Sequence, residues 1–177
     1  MSLSRRTLLS TALATAGAGV LVPSVKAQTS ARDLSFYHIH TGEKISLTYF
    51  ADGQYQPDAL AALNHFLRDW RTGDVHDIDP RVFDQLVALQ AKVDTGGAFN
   101  VICGYRSPAT NAMLHERSER VATHSLHMEG PAMDLCLPGK DLSQLHEAAL
   151  SLKAGGVGYY PASNFIHMDT GPVRRWG

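Results

Sequence analysis

Two histidines and one aspartate are spaced as ligands of a catalytic metal ion. His127 and Asp134 stand seven positions apart, on either side of Gly130 and Pro131, a break that lets the chain pass from loop into strand. His167 follows 33 residues after Asp134, in an apolar run that predicts a strand. Two imidazoles and one carboxylate would leave one position of a tetrahedral zinc ion open for water, as catalytic zinc sites require. The spacing alone is weak evidence, because the chain has nine histidines and a core histidine is the common alternative.

Arg106 is a further candidate functional residue. It directly follows the apolar run 99–105 and precedes Ser107 and Pro108, which predict a helix start. A guanidinium held at the end of a strand offers paired donors to a carboxylate or a developing oxyanion. The alternative is a structural arginine that bridges loop carbonyl groups.

Three motifs, in this order, resemble a family of zinc peptidases that act on peptidoglycan. They are Gly-Tyr-Arg-Ser-Pro-Ala-Thr-Asn at 104–111, Ser-x-His-x2-Gly-x-Ala-x-Asp at 125–134, and the tail 157–173 with its His-Met-Asp-Thr-Gly-Pro-Val ending. The family groups D-alanyl-D-alanine carboxypeptidases with peptidoglycan endopeptidases, and the tail is most similar to the MepK-like murein endopeptidases. The resemblance covers residues 33 to 176.

The resemblance implies a metal site and a role for the arginine. It implies a zinc ion held by His127, Asp134 and His167, which would polarise the scissile carbonyl and activate a water molecule. It also implies that Arg106 faces the substrate or the tetrahedral intermediate.

The substrate implied by the resemblance is crosslinked peptidoglycan peptide, and for the MepK-like group the bond between two diaminopimelate residues. Arg174 and Arg175 would offer cationic partners to its free carboxylates, and Trp176 would cover an apolar stem. A D,D-carboxypeptidase or D,D-endopeptidase would use the same three ligands. A non-catalytic cell-wall binding module on the same fold is a further alternative.

The general base is harder to assign. Part of the wider family has a glutamate or another base three positions before the last histidine, but that position is Asn164 here. Asp169 lies two residues after His167, and the period of a strand points both side chains to one face. We expect Asp169 to be the base, although it could instead accept the free N–H of a metal-bound imidazole. His124 and Glu129 are further candidates for the base.

The elements that must position these residues predict an α+β fold. Strands and helices are segregated in the order expected of a small mixed or antiparallel sheet with helices packed on it, and the resemblance implies a hedgehog or D,D-peptidase-like fold. The predicted elements are a hairpin of strands 34–40 and 44–50, helices 57–71 and 80–94, a strand 99–105, a helix 109–117, a loop 118–123, a strand 132–137, a helix from 141 to about 155, and a hairpin of strands 157–160 and 165–169.

Length and composition predict one domain. The chain has 177 residues, of which 44% are hydrophobic and 19% charged, which suffices for one adequate core. A formal charge of -1 gives no basic excess for binding nucleic acid. We expect a monomer whose partners are peptidoglycan stems and crosslinks.

The first 27 residues predict an export signal. Arg5 and Arg6 precede an Ala/Gly-rich apolar run, 8–22, that is shorter than the ~20 residues of a membrane-spanning helix. The pattern is typical of a twin-arginine signal peptide cleaved after Ala27. We therefore expect a signal over 1–27, a zinc peptidase domain over 28–177, a periplasmic product and no membrane anchor after cleavage.

The two cysteines, Cys103 and Cys136, could form a disulfide in an oxidising compartment. If Arg106 and Asp134 both face the site, strand alternation places Cys136 on the site face and Cys103 on the opposite face. We therefore expect two buried, unpaired thiols.

Overall fold

An eight-stranded, mostly antiparallel sheet forms the body of the protein in a computed structural model, which describes residues 30–94, 96–118 and 121–177. The predicted signal peptide lies outside these residues, as do 119 and 120 of the predicted loop. The α+β class is confirmed. The elements are β1 Arg32–His38, β2 Lys44–Ala51, β3 Gln54–Tyr55, α1 Pro57–Phe66, α2 Pro80–Lys92, β4 Phe99–Cys103, α3 Pro108–Arg117, β5 Ala132–Cys136, α4 Leu142–Leu152, β6 Gly156–Tyr160, β7 Phe165–Asp169 and β8 Arg174–Trp176.

The strand order across the sheet is β3-β2-β1-β4-β5-β7-β6-β8. All neighbours are antiparallel except the pairs β1 with β4 and β6 with β8. The order places β5 and β7, which carry Asp134 and His167, side by side in the middle of the sheet. The two short strands β3 and β8 were not predicted.

One face of the sheet holds the hydrophobic core. Strand alternation turns apolar side chains of β1, β4, β5 and β7 toward the helices, which contribute their own apolar stripes. The core is therefore shared between the sheet and helices α1, α2 and α4 rather than dominated by the first two helices. Its fully buried members include Leu34, Phe36, Leu63, Phe83, Leu86, Leu89, Val101, Met133, Leu135, Leu145 and Ile166.

Proline and polar caps begin the helices as the sequence predicts. Pro57 and Pro80 occupy the first turns of α1 and α2, and the side chain of Asp79 accepts a hydrogen bond from the backbone N–H of Arg81. Asp141 caps α4 by accepting from the N–H groups that follow it. Such caps satisfy donors that have no partner inside the helix.

Helix α1 ends at Phe66, five residues earlier than the predicted 71. The cause is Asp69, a buried carboxylate that accepts hydrogen bonds from the N–H of Arg71 and from the N–H and hydroxyl of Ser107. These bonds stabilise a turn in place of another helical turn. They also tie the end of α1 to the start of α3, directly after Arg106.

Strand β4 also ends earlier than predicted, at Cys103 rather than at residue 105. Its pairing with β5 shifts register between Val101 and Cys103, so that Cys103 lies opposite Asp134. A bulge of this kind breaks the two-residue alternation of side chains. The placement of Cys103 on the face opposite the site is therefore wrong.

None of the helices within the described ranges is long and apolar enough to cross a membrane.

Gly130 offers a test of the turn that leads from His127 into β5. Its φ is +92°, and a Cβ atom there would lie 2.0 Å from the carbonyl oxygen of Asp77. Gly139 has φ +81° with no atom within 4 Å of the same position. We expect Gly130→Ala to lower the free energy of unfolding by at least ~2 kcal/mol more than Gly139→Ala, because only Gly130 adds a backbone clash to the cost of positive φ. Urea denaturation measures both, and equal losses would contradict this account.

Candidate metal centre

The three predicted metal ligands converge on the sheet face that the helices leave open. His127 lies in a short 3-10 turn, Leu126–Met128, whose start is held by Ser125 accepting a hydrogen bond from the N–H of His127. Asp134 on β5 and His167 on β7 are direct cross-strand partners. Cross-strand pairing brings side chains on one face into contact.

The donor atoms of these three residues form a nearly equilateral triangle. His127 Nε2 lies 3.2 Å from Asp134 Oδ1 and 3.1 Å from His167 Nδ1, and His167 Nδ1 lies 2.9 Å from the same carboxylate oxygen. All three residues are buried. Ligand atoms bound to one tetrahedral zinc ion lie about 3.3 Å apart, given bonds of ~2.0–2.1 Å. The triangle therefore fits a metal ion, and its two-histidine, one-carboxylate composition suits zinc.

The other nitrogen of each imidazole is held by the protein. His127 Nδ1 lies 2.8 Å from the carbonyl oxygen of Gly104, and His167 Nε2 lies 3.0 Å from Asp169 Oδ2. Because a carbonyl and a carboxylate can only accept, each of these nitrogens carries a proton. In the neutral rings the remaining nitrogens then direct their lone pairs into the triangle, as metal ligands require.

The electrostatics of the triangle also favour a cation. Burial by itself would raise the pKa of Asp134, but the two imidazoles hold it well below its usual value. Burial would lower the pKa of His127, but Asp134 and Cys103 beside it raise that pKa to about 10. Without a metal ion, a proton on His127 balances the buried carboxylate. A bound cation would displace this proton, so the metal and the proton compete for the same place.

Asp169 lies behind His167 as seen from the triangle. Both its oxygens are engaged: Oδ1 accepts from the N–H groups of Gly156 and Gly171, and Oδ2 binds His167. Arg174 reaches both oxygens, at 3.1 and 2.7 Å. The prediction that Asp169 and His167 share a face agrees with this contact. The position favours the alternative in which Asp169 orients the imidazole over the role of base.

Arg106 lies beside the triangle. Its Nη2 is 3.7 Å from Asp134 Oδ2, its Nη1 donates to Asn111 Oδ1, and its backbone N–H donates to the carbonyl of His127. The buried Nε has no hydrogen-bond partner among the described residues.

The remaining sequence candidates lie at the edge of the site. His124 is exposed on the loop before the 3-10 turn, and Glu129 is exposed after it. Arg174, expected to meet substrate carboxylates, is instead paired with Asp169, whereas Arg175 is exposed. Trp176 lies against His167, with ring centres 5.1 Å apart.

Cys103 is a site residue that the sequence reasoning missed. Its sulfur atom forms a compact group with donor atoms of His127 and Asp134, all within 4.8 Å of one another. Burial would raise the pKa of the Cys103 thiol, but His127 and Arg106 lower it overall. Both cysteines are free. No sequence pattern marks the bulge that turns Cys103 toward the site.

An open groove of about 830 Å³ lies against β1, β2 and the start of β4. Tyr37, Lys44 and Asn100 line it. The register pairs Tyr37 with Asn100 and Asn100 with Cys136, two residues beyond Asp134. The groove is therefore on the same sheet face as the triangle.

The role of Asp169 can be tested by its amide variant. If Asp169 orients His167, Asp169→Asn should weaken metal affinity by ~10–100-fold, and excess zinc should restore much of the activity. Metal titration by calorimetry and activity at rising zinc concentration measure this.

A base would behave differently in the same experiment. Loss of a general base would leave metal affinity intact, lower kcat by ~10²–10⁴-fold and remove the acid limb of the pH–rate profile. That result would identify Asp169 as the general base. Asp141→Asn, at the exposed cap of α4, is the matched control and should change neither quantity.

Comparison with known proteins gives one consistent result. The model of a family described as peptidoglycan L,D-endopeptidase MepK matches residues 26–176. The peptidoglycan L,D-endopeptidase MepK of Escherichia coli (strain K12) is 46% identical over 176 residues, which cover 98% of this chain and 97% of that protein. The probable peptidoglycan L,D-endopeptidase MepK of Haemophilus influenzae is 43% identical over 164 residues, covering 90% of this chain and 88% of the relative.

Proposed function

The chain belongs to the family of the peptidoglycan L,D-endopeptidase MepK, and from this we propose that it is a murein endopeptidase that hydrolyses peptide crosslinks of peptidoglycan. The bond we assign is the one between two diaminopimelate residues of a crosslink. The buried triangle of His127, Asp134 and His167 is the observation that carries the proposal, because it is built to hold a metal ion next to an accessible sheet face.

We propose zinc as the metal and these three residues as its ligands. A zinc ion bound there would supply a Lewis acid for the scissile carbonyl and activate water for the attack. The hydrogen bonds that His127 and His167 donate to Gly104 and Asp169 support this assignment, because they fix both imidazoles in the tautomer that a metal needs.

The other residues of the site take supporting roles in this proposal. Arg106 places Nη2 beside the triangle, and from there we propose that its guanidinium binds a substrate carboxylate or the oxyanion of the tetrahedral intermediate. Asp169 is a positioning residue that acts through His167. His124, the other predicted base, lies on the exposed loop, from which it would have to approach the attacking water when substrate binds.

The groove on the same sheet face as the triangle is the place we assign to one part of a crosslinked substrate. We propose that one peptide stem lies against Tyr37 and Asn100, with the ammonium group of Lys44 near a free carboxylate of the stem. The second stem would extend toward Trp176, on the other side of His167.

Product analysis with ligand variants tests the proposal. His127→Ala, Asp134→Ala and His167→Ala should each lose stoichiometric zinc and endopeptidase activity while the domain still folds, because the core lies on the opposite face of the sheet. His65→Ala, at an exposed histidine of α1, should retain both. Metal content is measured by atomic emission, folding by circular dichroism and products by mass spectrometry.

Three outcomes of this experiment would contradict parts of the proposal. Full zinc retention in one of the three variants removes that residue from the ligand set. Release of terminal D-alanine, or cleavage of D-alanyl crosslinks alone, would indicate a D,D-peptidase. Wall binding without any cleavage would indicate a non-catalytic module.

We also propose that the chain acts outside the cytoplasm and is exported by the twin-arginine route. Arg5 and Arg6 before the apolar run support this, since the route reads paired arginines. Replacing both with lysine should leave the uncleaved precursor in the cytoplasm, as shown by fractionation and immunoblotting. Lys26→Arg is the matched control, because it keeps the charge of the signal and leaves the pair intact. An unchanged periplasmic yield of the double variant would exclude this route.

A further inference from the structure

We propose that Cys103 is a fourth, displaceable ligand of the metal ion held by His127, Asp134 and His167, an inference that rests on the metal-dependent function proposed above. The thiol would bind the metal in the resting protein and leave it when substrate enters. The centre would then alternate between a closed, four-ligand state and an open, three-ligand state.

The first argument is position. The bulge in β4 sets Cys103 directly opposite Asp134, so its side chain points to the same face of the sheet as the triangle. Its sulfur and the donor atoms of His127 and Asp134 all lie within 4.8 Å of one another. Ligand atoms on one zinc ion are separated by about 3.3–3.6 Å when sulfur is included. Closing the difference to the donor atoms of His127 and Asp134 requires a shift of about 1 Å, which a change in the χ1 angle of Cys103 can supply.

The second argument is charge. A zinc ion bound by two neutral imidazoles and one carboxylate would leave one net positive charge in a buried site, next to the cationic Arg106. A thiolate ligand would cancel that charge, and buried charge is costly unless it is compensated. Thiolate is also a preferred zinc ligand. The bond forms between the sulfur and the metal, and the thiol proton leaves to solvent.

The third argument is that the sulfur atom has a second interaction partner, Arg106. In the structure Cys103 Sγ lies 3.6 Å from Arg106 Nη2, which donates to it. A thiol displaced from the metal can therefore return to this contact.

Cobalt substitution gives a direct readout that does not depend on activity. The wild-type protein loaded with Co²⁺ should show the near-ultraviolet charge-transfer band of a thiolate ligand together with the visible bands of a tetrahedral ion. Cys103→Ser and Cys103→Ala should lose the charge-transfer band and keep the visible bands. Cys136→Ser is the matched control, because Cys136 is on the same face but lies opposite Asn100, and it should keep the band.

Two further measurements follow from the same proposal. Zinc affinity should fall at least ~10-fold in Cys103→Ser. Loss of a residue that hydrogen-bonds a metal ligand already lowers affinity by ~10–100-fold, and loss of a ligand itself should lower it at least as much. Zinc should also protect Cys103 from alkylation while leaving the rate at Cys136 unchanged, as mapped by peptide mass spectrometry.

The outcomes separate this inference from the proposed function. Stoichiometric cobalt binding with tetrahedral visible bands but no charge-transfer band in the wild type overturns the ligand role of Cys103 and leaves the three-ligand centre standing. A charge-transfer band that persists in both Cys103 variants also overturns it. Failure of the folded wild-type protein to bind cobalt or zinc overturns the metal centre itself and the inference with it.

Discussion

The arrangement of the site depends on one electrostatic constraint: the carboxylate of Asp134 is buried in the middle of the sheet and must be compensated there. An isolated carboxylate in such a place would cost several kcal/mol. Two imidazoles surround it instead, at 3.2 and 2.9 Å. One comes from the neighbouring strand and the other from the 3-10 turn before β5. The compensation is therefore possible only when β5, β7 and that turn meet in the observed register.

The glycine-rich backbone around this centre follows from the same constraint. His127 needs the carbonyl of Gly104 at 2.8 Å, and a side chain at Gly104 would lie 2.6 Å from the carbonyl oxygen of Leu67. Close packing of the chain around Gly104 thus brings the end of α1 to the turn that holds the first histidine. Gly158 plays a similar part under Trp176, whose ring lies 2.7 Å from the position of a Cβ atom there.

Much of the fold could be predicted from the sequence because its signals are local. Prolines and cap residues mark the starts of α1, α2 and α4, and alternation identifies the main strands. The side chains of His127, Asp134 and His167 also lie together, as their predicted role requires. Local signals could not predict two effects of tertiary contacts. Helix α1 ends early because Asp69 accepts a hydrogen bond from Ser107, and the bulge in β4 turns Cys103 toward the site. Both effects depend on residues far apart in the chain. The two-residue alternation of a regular strand therefore predicted the wrong face of the sheet for Cys103.

The C-terminal strand is part of the metal centre rather than an appendage to it. Asp169 accepts hydrogen bonds from His167, two backbone N–H groups and Arg174, and it is fully buried. A carboxylate that accepts this many bonds is fixed in position, and it fixes His167 in turn. Arg174 begins β8, which pairs with β6 and carries Trp176 onto the ring of His167. The position of the last strand is thereby coupled to the orientation of the His167 imidazole. Gly158 and Trp176 therefore share one physical role in the tail, because the ring that covers the His167 imidazole packs directly on the glycine.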